Sequence, residues 1–235
     1  MASGRRLPCT VEGMTVLKLE TPSKAIDSLK DLLNQLGGIS PERIRFRPPP
    51  GMAKEKHVVQ AHDHQNRLCE LVDGVLVEKA MGSIESLLAM ELAYEIRRFI
   101  EDADLGVVLG ADAMLRLAPG LVRMPDVSFV SWDRIPSGQF PDEPISGIAP
   151  DLAVEVLSAG NTKREMERKV GEYFEAGVRL VWLIDPKART VDAYTSPNES
   201  RRLRNGQTLG GEPVLPGFTL PLRQLFARAS RRKKR

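Results

Sequence analysis

The stretch PDLAVEVLSAGNTKREMERKVGEYFEAGVRLVWLIDP, residues 150–186, predicts a strand, a helix and a second strand in succession. The first apolar run, residues 152–157, is interrupted only by Glu155, and such a run is typical of a strand that is covered on both faces. The second run, residues 180–184, is apolar throughout. Two such strands joined by a helix predict a right-handed parallel crossover. An ionised carboxylate at position 155 is costly in this setting unless a partner binds it.

The segment between the two strands has the signals of an amphipathic helix. Thr162 and Glu165 have the spacing of a capping box, and Gly177 is typical of the residue that follows a helix. The apolar positions at spacings of three and four are Met166, Val170, Tyr173 and Phe174. Lys169 flanks this stripe, so its stem can follow the stripe while its ammonium reaches the end of the sheet. If the helix packs on the strand face that carries Glu155, the lysine and the glutamate meet there.

Length and composition are those of a soluble globular protein. The chain has 235 residues, of which 42% are hydrophobic and 28% charged, and this length predicts one domain with an appendage. No apolar run approaches the roughly 20 residues that span a bilayer, and the first residues lack the apolar core of a signal peptide. We therefore expect a cytoplasmic protein without membrane contact. Cys9 and Cys69 match no metal or redox spacing and are expected to be reduced thiols.

The net charge of +3 conceals an uneven distribution. Of the 34 basic residues, six lie in the tail at 228–235, which leaves 28 basic residues against 31 acidic ones in the rest of the chain. The body is therefore slightly acidic. The basic tail is interpreted as a solvated chain end or as an arm that binds phosphate.

The first 60 residues are predicted to form an N-terminal extension. Residues 23–36 have the pattern of an amphipathic helix that ends at Gly37-Gly38, and the proline-rich residues 45–51 are interpreted as a linker. The predicted domains are the extension at 1–60, a main domain at 66–227 and the basic tail at 228–235.

The three histidines cluster at His57, His62 and His64. This clustering suggests a metal site, but no carboxylate or cysteine at a ligand spacing completes one. We therefore expect these histidines to lie in an exposed linker.

Between the extension and the crossover, the sequence predicts short strands and one long helix. Asp73-Gly74 separates two apolar runs and is a strong signal for a hairpin. The helix that follows residue 83 has an apolar stripe consisting of Ile84, Leu87, Leu88, Leu92, Ile96 and Phe99. Glu85 lies in its first turn, where it either favours the helix dipole or points into a site beneath the helix. Further elements are expected as strands at 106–109, 112–117, 127–130 and 190–195, a polar loop extending through Gly206, and a short helix at 222–229.

Three side chains from separate elements form the candidate site. Asp126 lies at the head of one predicted strand, Glu155 lies within another, and Lys169 lies on the crossover helix. Two carboxylates and one ammonium are the groups that metal-assisted hydrolysis of a phosphodiester uses, since Mg²⁺ binds carboxylates and waters, and a lysine can orient or deprotonate the attacking water. A purely structural pair between Glu155 and Lys169 is an equal alternative at this point.

The motifs also resemble a known family. The matching segments are CELVDGVLVEKAMG at 69–82, PDVSFV at 125–130, PDLAVEVLS at 150–158 with the lysine at 169, YFEAGVRLVWLIDP at 173–186, and LPGFTLPL at 215–222. Together they are similar to the Uma-two family, a branch of the PD-(D/E)XK restriction-endonuclease-like superfamily. The resemblance extends from about Leu68 to Leu225.

This resemblance implies an α/β fold with a mixed sheet flanked by helices. It implies Asp126 and Glu155 as ligands of Mg²⁺, or of Mn²⁺ in its place, with the main-chain carbonyl of Val156 as a third ligand. The superfamily lysine is expected two residues after the glutamate, where this chain has a leucine, and Lys169 on the following helix takes its place. Glu85 matches an acid that the superfamily often carries on a helix.

The function implied is a magnesium-dependent endonuclease that acts on DNA and assembles as a homodimer. The alternative is a catalytically inactive nucleic-acid-binding or scaffold module of the same fold, which associates through the helix at 23–36.

Two further residues resemble site residues but are not assigned to the site. Asp151 also follows a proline, but its place at the start of a strand favours a structural role. Lys163 lies in the first turn of the helix and is expected to face solvent.

Overall fold

The computed structural model of the protein describes residues 26–229 and has a mixed α/β architecture. Its helices are α1 (Leu29–Gln35), α2 (Glu55–Gln65), α3 (Ser83–Glu101), α4 (Lys163–Glu175) and α5 (Leu222–Ala229). Its strands are β1 (Ile44–Arg45), β2 (Cys69–Val72), β3 (Val75–Glu78), β4 (Gly106–Leu109), β5 (Met114–Ala118), β6 (Leu121–Arg123), β7 (Val127–Ser131), β8 (Ile145–Ser146), β9 (Leu152–Val156), β10 (Leu180–Asp185), β11 (Thr190–Ser196), β12 (Glu199–Arg204), β13 (Thr208–Gly211) and β14 (Leu215–Pro221). The predicted mixed sheet flanked by helices is confirmed, although the described strands form two six-stranded sheets and one two-stranded sheet.

The crossover predicted from residues 150–186 forms the centre of one sheet. This sheet, here called the crossover sheet, has the strand order β12-β11-β10-β9-β7-β4. Strands β9 and β10 are parallel, and α4 connects them as predicted. The Thr162 hydroxyl accepts a hydrogen bond from the amide of Glu165 at 3.1 Å and so caps α4, while Gly177 has a φ of 87°, which suits the residue after a helix.

The second sheet, here called the hairpin sheet, has the order β1-β3-β2-β6-β5-β8. Its β2-β3 hairpin turns at Asp73-Gly74, as predicted, with Val72 paired to Val75. Both turn residues have positive φ, 49° for Asp73 and 71° for Gly74, which is the backbone that a two-residue hairpin turn requires.

Helices cover both faces of the crossover sheet. On one face, α3 and α5 pack against the odd-numbered residues of β7 and the even-numbered residues of β9. The apolar cluster that they bury includes Leu92, Phe129, Val154 and Trp182. On the other face, α4 packs Met166, Val170 and Tyr173 against the sheet. Because side chains alternate along a strand, Ala153 and Glu155 on β9 point towards α4. The strand face predicted for Glu155 is therefore confirmed.

The N-terminal segment packs on the hairpin sheet. Helix α1 is shorter than predicted: it begins at Leu29 because the Ser28 hydroxyl accepts from the amide of Asp31, and residues 23–25 of the predicted helix lie outside the described residues. Leu32 and Leu36 are buried against the β2-β3 hairpin, and β1 pairs with β3. The partner surface that this amphipathic helix needs is thus within the same chain.

The same segment is joined to the crossover by an ion pair. The Arg43 guanidinium donates to both carboxylate oxygens of Glu165, at 2.9 and 2.7 Å, and also to the carbonyl of Gly160. Bidentate pairing of this kind fixes geometry as well as charge. Residues 26–45 therefore connect the hairpin sheet to the start of α4.

Three local expectations are wrong. The histidines lie on helix α2 and not in a linker; His57 Nδ1 accepts from the amide of Lys54 at the helix start. The predicted polar loop before Gly206 contains β12, an edge strand whose side chains are almost all exposed, so it lacks the apolar alternation that identifies a strand. Ile84 and Leu87, which were assigned to the buried stripe of α3, are 48% and 40% exposed.

Within residues 26–229, no helix is long and apolar enough to cross a membrane.

Packing of α1 predicts different costs for two leucines of the same helix. Leu32 is 3% exposed and Leu29 is 51% exposed. We expect Leu32→Ala to lower the free energy of unfolding by about 2–4 kcal/mol, as for other buried leucines, and Leu29→Ala to lower it by less than about 0.5 kcal/mol. Urea denaturation followed by circular dichroism measures both. Equal effects of the two substitutions would contradict the packing of α1 on the hairpin.

Candidate functional site

Asp126 and Glu155 lie close together where two neighbouring strands meet. Strands β7 and β9 are antiparallel with Val127 paired to Val154, and Asp126 directly precedes β7. The amide of Asp126 donates to the carbonyl of Val154 at 2.8 Å, and its carboxylate accepts from the amide of Val156, the residue after Glu155. Burial raises the pKa of Glu155, and the negative charge of Asp126 adds to this effect. Asp126 and Glu155 are 4% and 5% exposed.

Lys169 contacts Glu155, as the helix phase predicts. Its ammonium lies 3.0 Å from Glu155 Oε1 and is only 2% exposed. The Tyr173 hydroxyl, one turn further along α4, donates to the same oxygen at 2.5 Å. Both hydrogen bonds go to Oε1, so Glu155 Oε2 accepts none from the described residues.

A second carboxylate holds Lys169 from the hairpin sheet. Glu70 on β2 is fully buried, and its Oε1 accepts from the Lys169 ammonium at 2.9 Å. Its Oε2 accepts from Arg123 at 2.7 Å, and Arg123 also donates to Glu172 on α4. The sequence interpretation missed Glu70, although the signal was available: a single carboxylate within a short apolar strand is the pattern that singled out Glu155.

Mutual pairing sets the protonation states of this cluster. Burial alone lowers the pKa of Lys169, but Glu155 and Glu70 outweigh it and raise the pKa well above its ordinary value. Burial raises the pKa of Glu70, but Lys169 and Arg123 hold it far below its ordinary value. The pKa of Glu155 is raised, mainly by burial, with Asp126 and Glu70 adding to the effect. At neutral pH, Lys169 is therefore an ammonium ion.

Lys79 pairs with Asp126 and was also missed by the sequence interpretation. It follows β3 directly, and its ammonium lies 2.8 Å from Asp126 Oδ1 and donates to the carbonyl of Ala111 at 3.1 Å. The other oxygen, Asp126 Oδ2, accepts from the amide of Val156 at 2.6 Å. Oδ1 is buried and accepts no aligned hydrogen bond from the described residues, so the contact with Lys79 is electrostatic.

The structure places the other predicted residues as follows. The amide of Val156 is directed to Asp126, and the role predicted for its carbonyl stays a prediction. Glu85 lies in the first turn of α3 and folds over Gly82 at the helix start, and it makes no hydrogen bond or ion pair with Asp126, Glu155 or Lys169 within the described residues. Lys163 has a side chain that is 90% exposed, as expected.

Asp151 has the structural role predicted for it. Its carboxylate is buried and accepts from the amide of Ser131 and from the guanidinium groups of Arg134 and Arg179, at 2.7–3.0 Å. It therefore joins the start of β9 to the end of β7 and to the residue before β10. Burial raises the pKa of Asp151, but these hydrogen bonds outweigh it, and the pKa lies below its ordinary value.

An open cleft adjoins the cluster. It has a volume of about 520 Å³ and is lined on one side by Lys79, Ala80 and Glu85 and on another by Ser158 and Gly160. Lys79 thus lines the cleft and also contacts Asp126, which together with Glu155 is here called the acid pair.

The acid pair has the chemistry of a magnesium site. Asp126 Oδ1 and Glu155 Oε2 come from paired strands, and neither accepts a hydrogen bond from the described residues. Magnesium needs only one or two protein carboxylates, because waters and substrate oxygens complete its shell. In the described part of the chain, no group of three or more His, Cys, Asp or Glu residues is arranged to hold a metal ion, so a magnesium ion here would need main-chain, water or substrate oxygens for the rest of its shell.

Comparison with solved structures identifies the class of fold. The crystal structure described as "a putative nuclease belonging to DUF820 from Anabaena variabilis ATCC 29413" matches with a TM-score of 0.62 and 20% sequence identity, over 70% of this chain and 92% of that one. The protein therefore shares the α/β fold of that structure. A search of curated proteins found no match.

The family follows from the sequence. The model of the Uma2 family, described as "Putative restriction endonuclease", matches residues 55–223. The chain belongs to this family, and the resemblance inferred from its motifs is confirmed. Membership supports a nuclease-like function that acts on nucleic acid.

The hydrogen bonds of Asp151 predict a pH-dependent contribution to stability. Because the folded pKa is lowered, the contribution is fully present above the unfolded pKa of about 3.9 and is lost as the pH falls through the folded value. We expect Asp151→Asn to be destabilised most at pH 7, and the gap to the wild type to narrow below pH 4. Urea denaturation at pH 7, 5, 4 and 3 measures it. A gap that stays constant over this range would contradict the assignment.

Proposed function

We propose that this protein is a Mg²⁺-dependent endonuclease that hydrolyses phosphodiester bonds of DNA. The observation that carries the proposal is the acid pair Asp126 and Glu155: each residue retains one oxygen that accepts no aligned hydrogen bond from the described residues, and the ammonium of Lys169 lies beside Glu155. Family membership supports the nuclease class. Manganese would serve in place of magnesium, since both accept carboxylate oxygens.

In this proposal, Asp126 and Glu155 hold the ion. The carbonyl of Val156 is the proposed third ligand. A bound Mg²⁺ would stabilise the charge on the phosphate and acidify a water. The residues of the chain then position these groups: Tyr173 and Lys169 fix Glu155 through Oε1, and the amide of Val156 fixes Asp126 through Oδ2.

Lys169 acts as a cation and not as a general base. Its position between Glu155 and Glu70 raises its pKa, so the ammonium keeps its proton at neutral pH. A positive charge next to the reacting phosphate stabilises the negative charge that develops on hydrolysis. Glu85 lies at the rim of the adjoining cleft, where it is proposed to face the substrate. This role is less specific than the binding of the ion that is proposed for Asp126 and Glu155.

DNA has to reach the site from the adjoining cleft. The slightly acidic body attracts DNA weakly, so we propose that a second copy in a homodimer, or the basic residues 228–235, supplies the missing positive surface. The proposed location is the cytoplasm.

A second candidate function is a catalytically inactive module of the same fold. The observation that favours it is the closure of the acid pair: both carboxylates are at most 5% exposed, and each already contacts a lysine. A module that binds nucleic acid or a partner would need the fold but no accessible metal site.

A cleavage assay separates the two functions. Purified protein with supercoiled plasmid and Mg²⁺ or Mn²⁺ is expected to nick and linearise the DNA. We expect Glu155→Gln and Lys169→Met to lower the rate at least about 100-fold, because the first removes a carboxylate that holds the ion and the second removes an ammonium that stabilises charge at the phosphate. Lys163→Met removes an equal charge from the exposed part of α4 and serves as the matched control, with a rate near that of the wild type.

Circular dichroism shows whether each variant is folded. Undiminished cleavage by folded Glu155→Gln and Lys169→Met would overturn the site. A folded wild type that cleaves in neither metal would favour the inactive module.

A further inference from the structure

We infer that the ammonium of Lys79 is the counter-ion of the acid pair in the metal-free protein, and that a divalent cation displaces it when the cation binds Asp126. The inference rests on the proposed function, because it concerns the same acid pair. It adds a residue whose side chain has to move before the site can act.

The first observation is the contact itself. The Lys79 ammonium lies 2.8 Å from Asp126 Oδ1, the one oxygen of that carboxylate that is left without an aligned hydrogen bond. Both side chains are 4% exposed. A lone carboxylate at this depth is costly, so the lysine neutralises the position that a metal ion would otherwise neutralise.

The second observation is the charge balance of the cluster. The acids Glu70, Asp126 and Glu155 are joined by ion pairs to the bases Lys79, Arg123 and Lys169. Arg123 is shared with a fourth acid, Glu172, whereas Lys79 has Asp126 as its carboxylate partner. A divalent ion bound at Asp126 Oδ1 would lie beside the Lys79 ammonium in a buried region, where like charges repel strongly. Lys79 and the ion therefore compete for Asp126.

The third observation shows which lysine can leave. Lys169 is held by two carboxylates and is 2% exposed. Lys79 has a single carboxylate partner and a carbonyl, and it lines the open cleft of about 520 Å³. Its long flexible stem gives the ammonium a route from Asp126 into that cleft, while its amide stays fixed to the carbonyl of Leu68 at 2.8 Å.

The test measures metal affinity in the absence of DNA. Isothermal titration with Mn²⁺ is carried out on the wild type, on Lys79→Met and on Lys163→Met, which removes the same charge from the surface. We expect Mn²⁺ to bind Lys79→Met at least about tenfold more tightly than the wild type, which corresponds to about 1.4 kcal/mol. Lys163→Met should bind as the wild type does.

Thermal unfolding provides a second readout if Lys79→Met is too unstable without metal for titration. Removal of the ammonium should lower Tm in EDTA, and Mn²⁺ should raise Tm more in the variant than in the wild type, since a ligand stabilises the state that it binds. An equal or smaller rise would overturn the inference.

The outcomes keep the inference distinct from the proposed function. Equal or weaker Mn²⁺ binding by Lys79→Met, with normal binding by the wild type, overturns the role of Lys79 and leaves the metal-dependent endonuclease standing. Absence of Mn²⁺ binding by wild type and variant overturns both.

Discussion

The buried ion pair between Glu155 and Lys169 is the interaction on which the rest of the structure depends. The two residues are nearly inaccessible to water, and removing such ions from water costs several kcal/mol each unless their partners are well placed. Glu155 has a fixed position because β9 is an interior strand, and Lys169 has a fixed position because α4 is capped at Thr162 and packs through Val170. The crossover is thus both the centre of the fold and the support of the site.

The hairpin sheet completes this cluster. Glu70 supplies the second carboxylate for Lys169, and Arg123 binds Glu70 together with Glu172 on α4. These contacts tie α4 to β6 and β2, across 49 and 99 residues of the sequence. A structural role and a catalytic role for Lys169 are therefore compatible. Lys169 joins the two sheets by binding Glu155 on one and Glu70 on the other, and its ammonium lies beside the acid pair through the contact with Glu155.

Much of the fold follows from local patterns, and the failures have physical reasons. The crossover was predictable because its strands are continuously apolar and its helix has a capping box, and Asp73-Gly74 identified the hairpin. Strand β12 was missed because an edge strand exposes nearly all its side chains and carries no apolar alternation. The stripe on α3 was predicted to begin too early, because Ile84 and Leu87 are exposed and precede Leu88, the first buried residue of the helix.

The candidate site was predictable where residues are linked through one motif. Helix phase placed Lys169 against Glu155, and the pairing of β7 with β9 brings Asp126 close to it. Lys79 and Glu70 come from the hairpin, and their approach to the acids depends on how one sheet packs against another, which no local spacing encodes. The metal role of Asp126, Glu155 and Val156 stays a prediction. Because Lys169 lies between a carboxylate of each sheet, a fragment that contained only residues after the hairpin would keep the lysine and lose half of its counter-charge. The smallest unit able to assemble the cluster therefore has to contain both the hairpin and the crossover, and the crossover by itself is not sufficient.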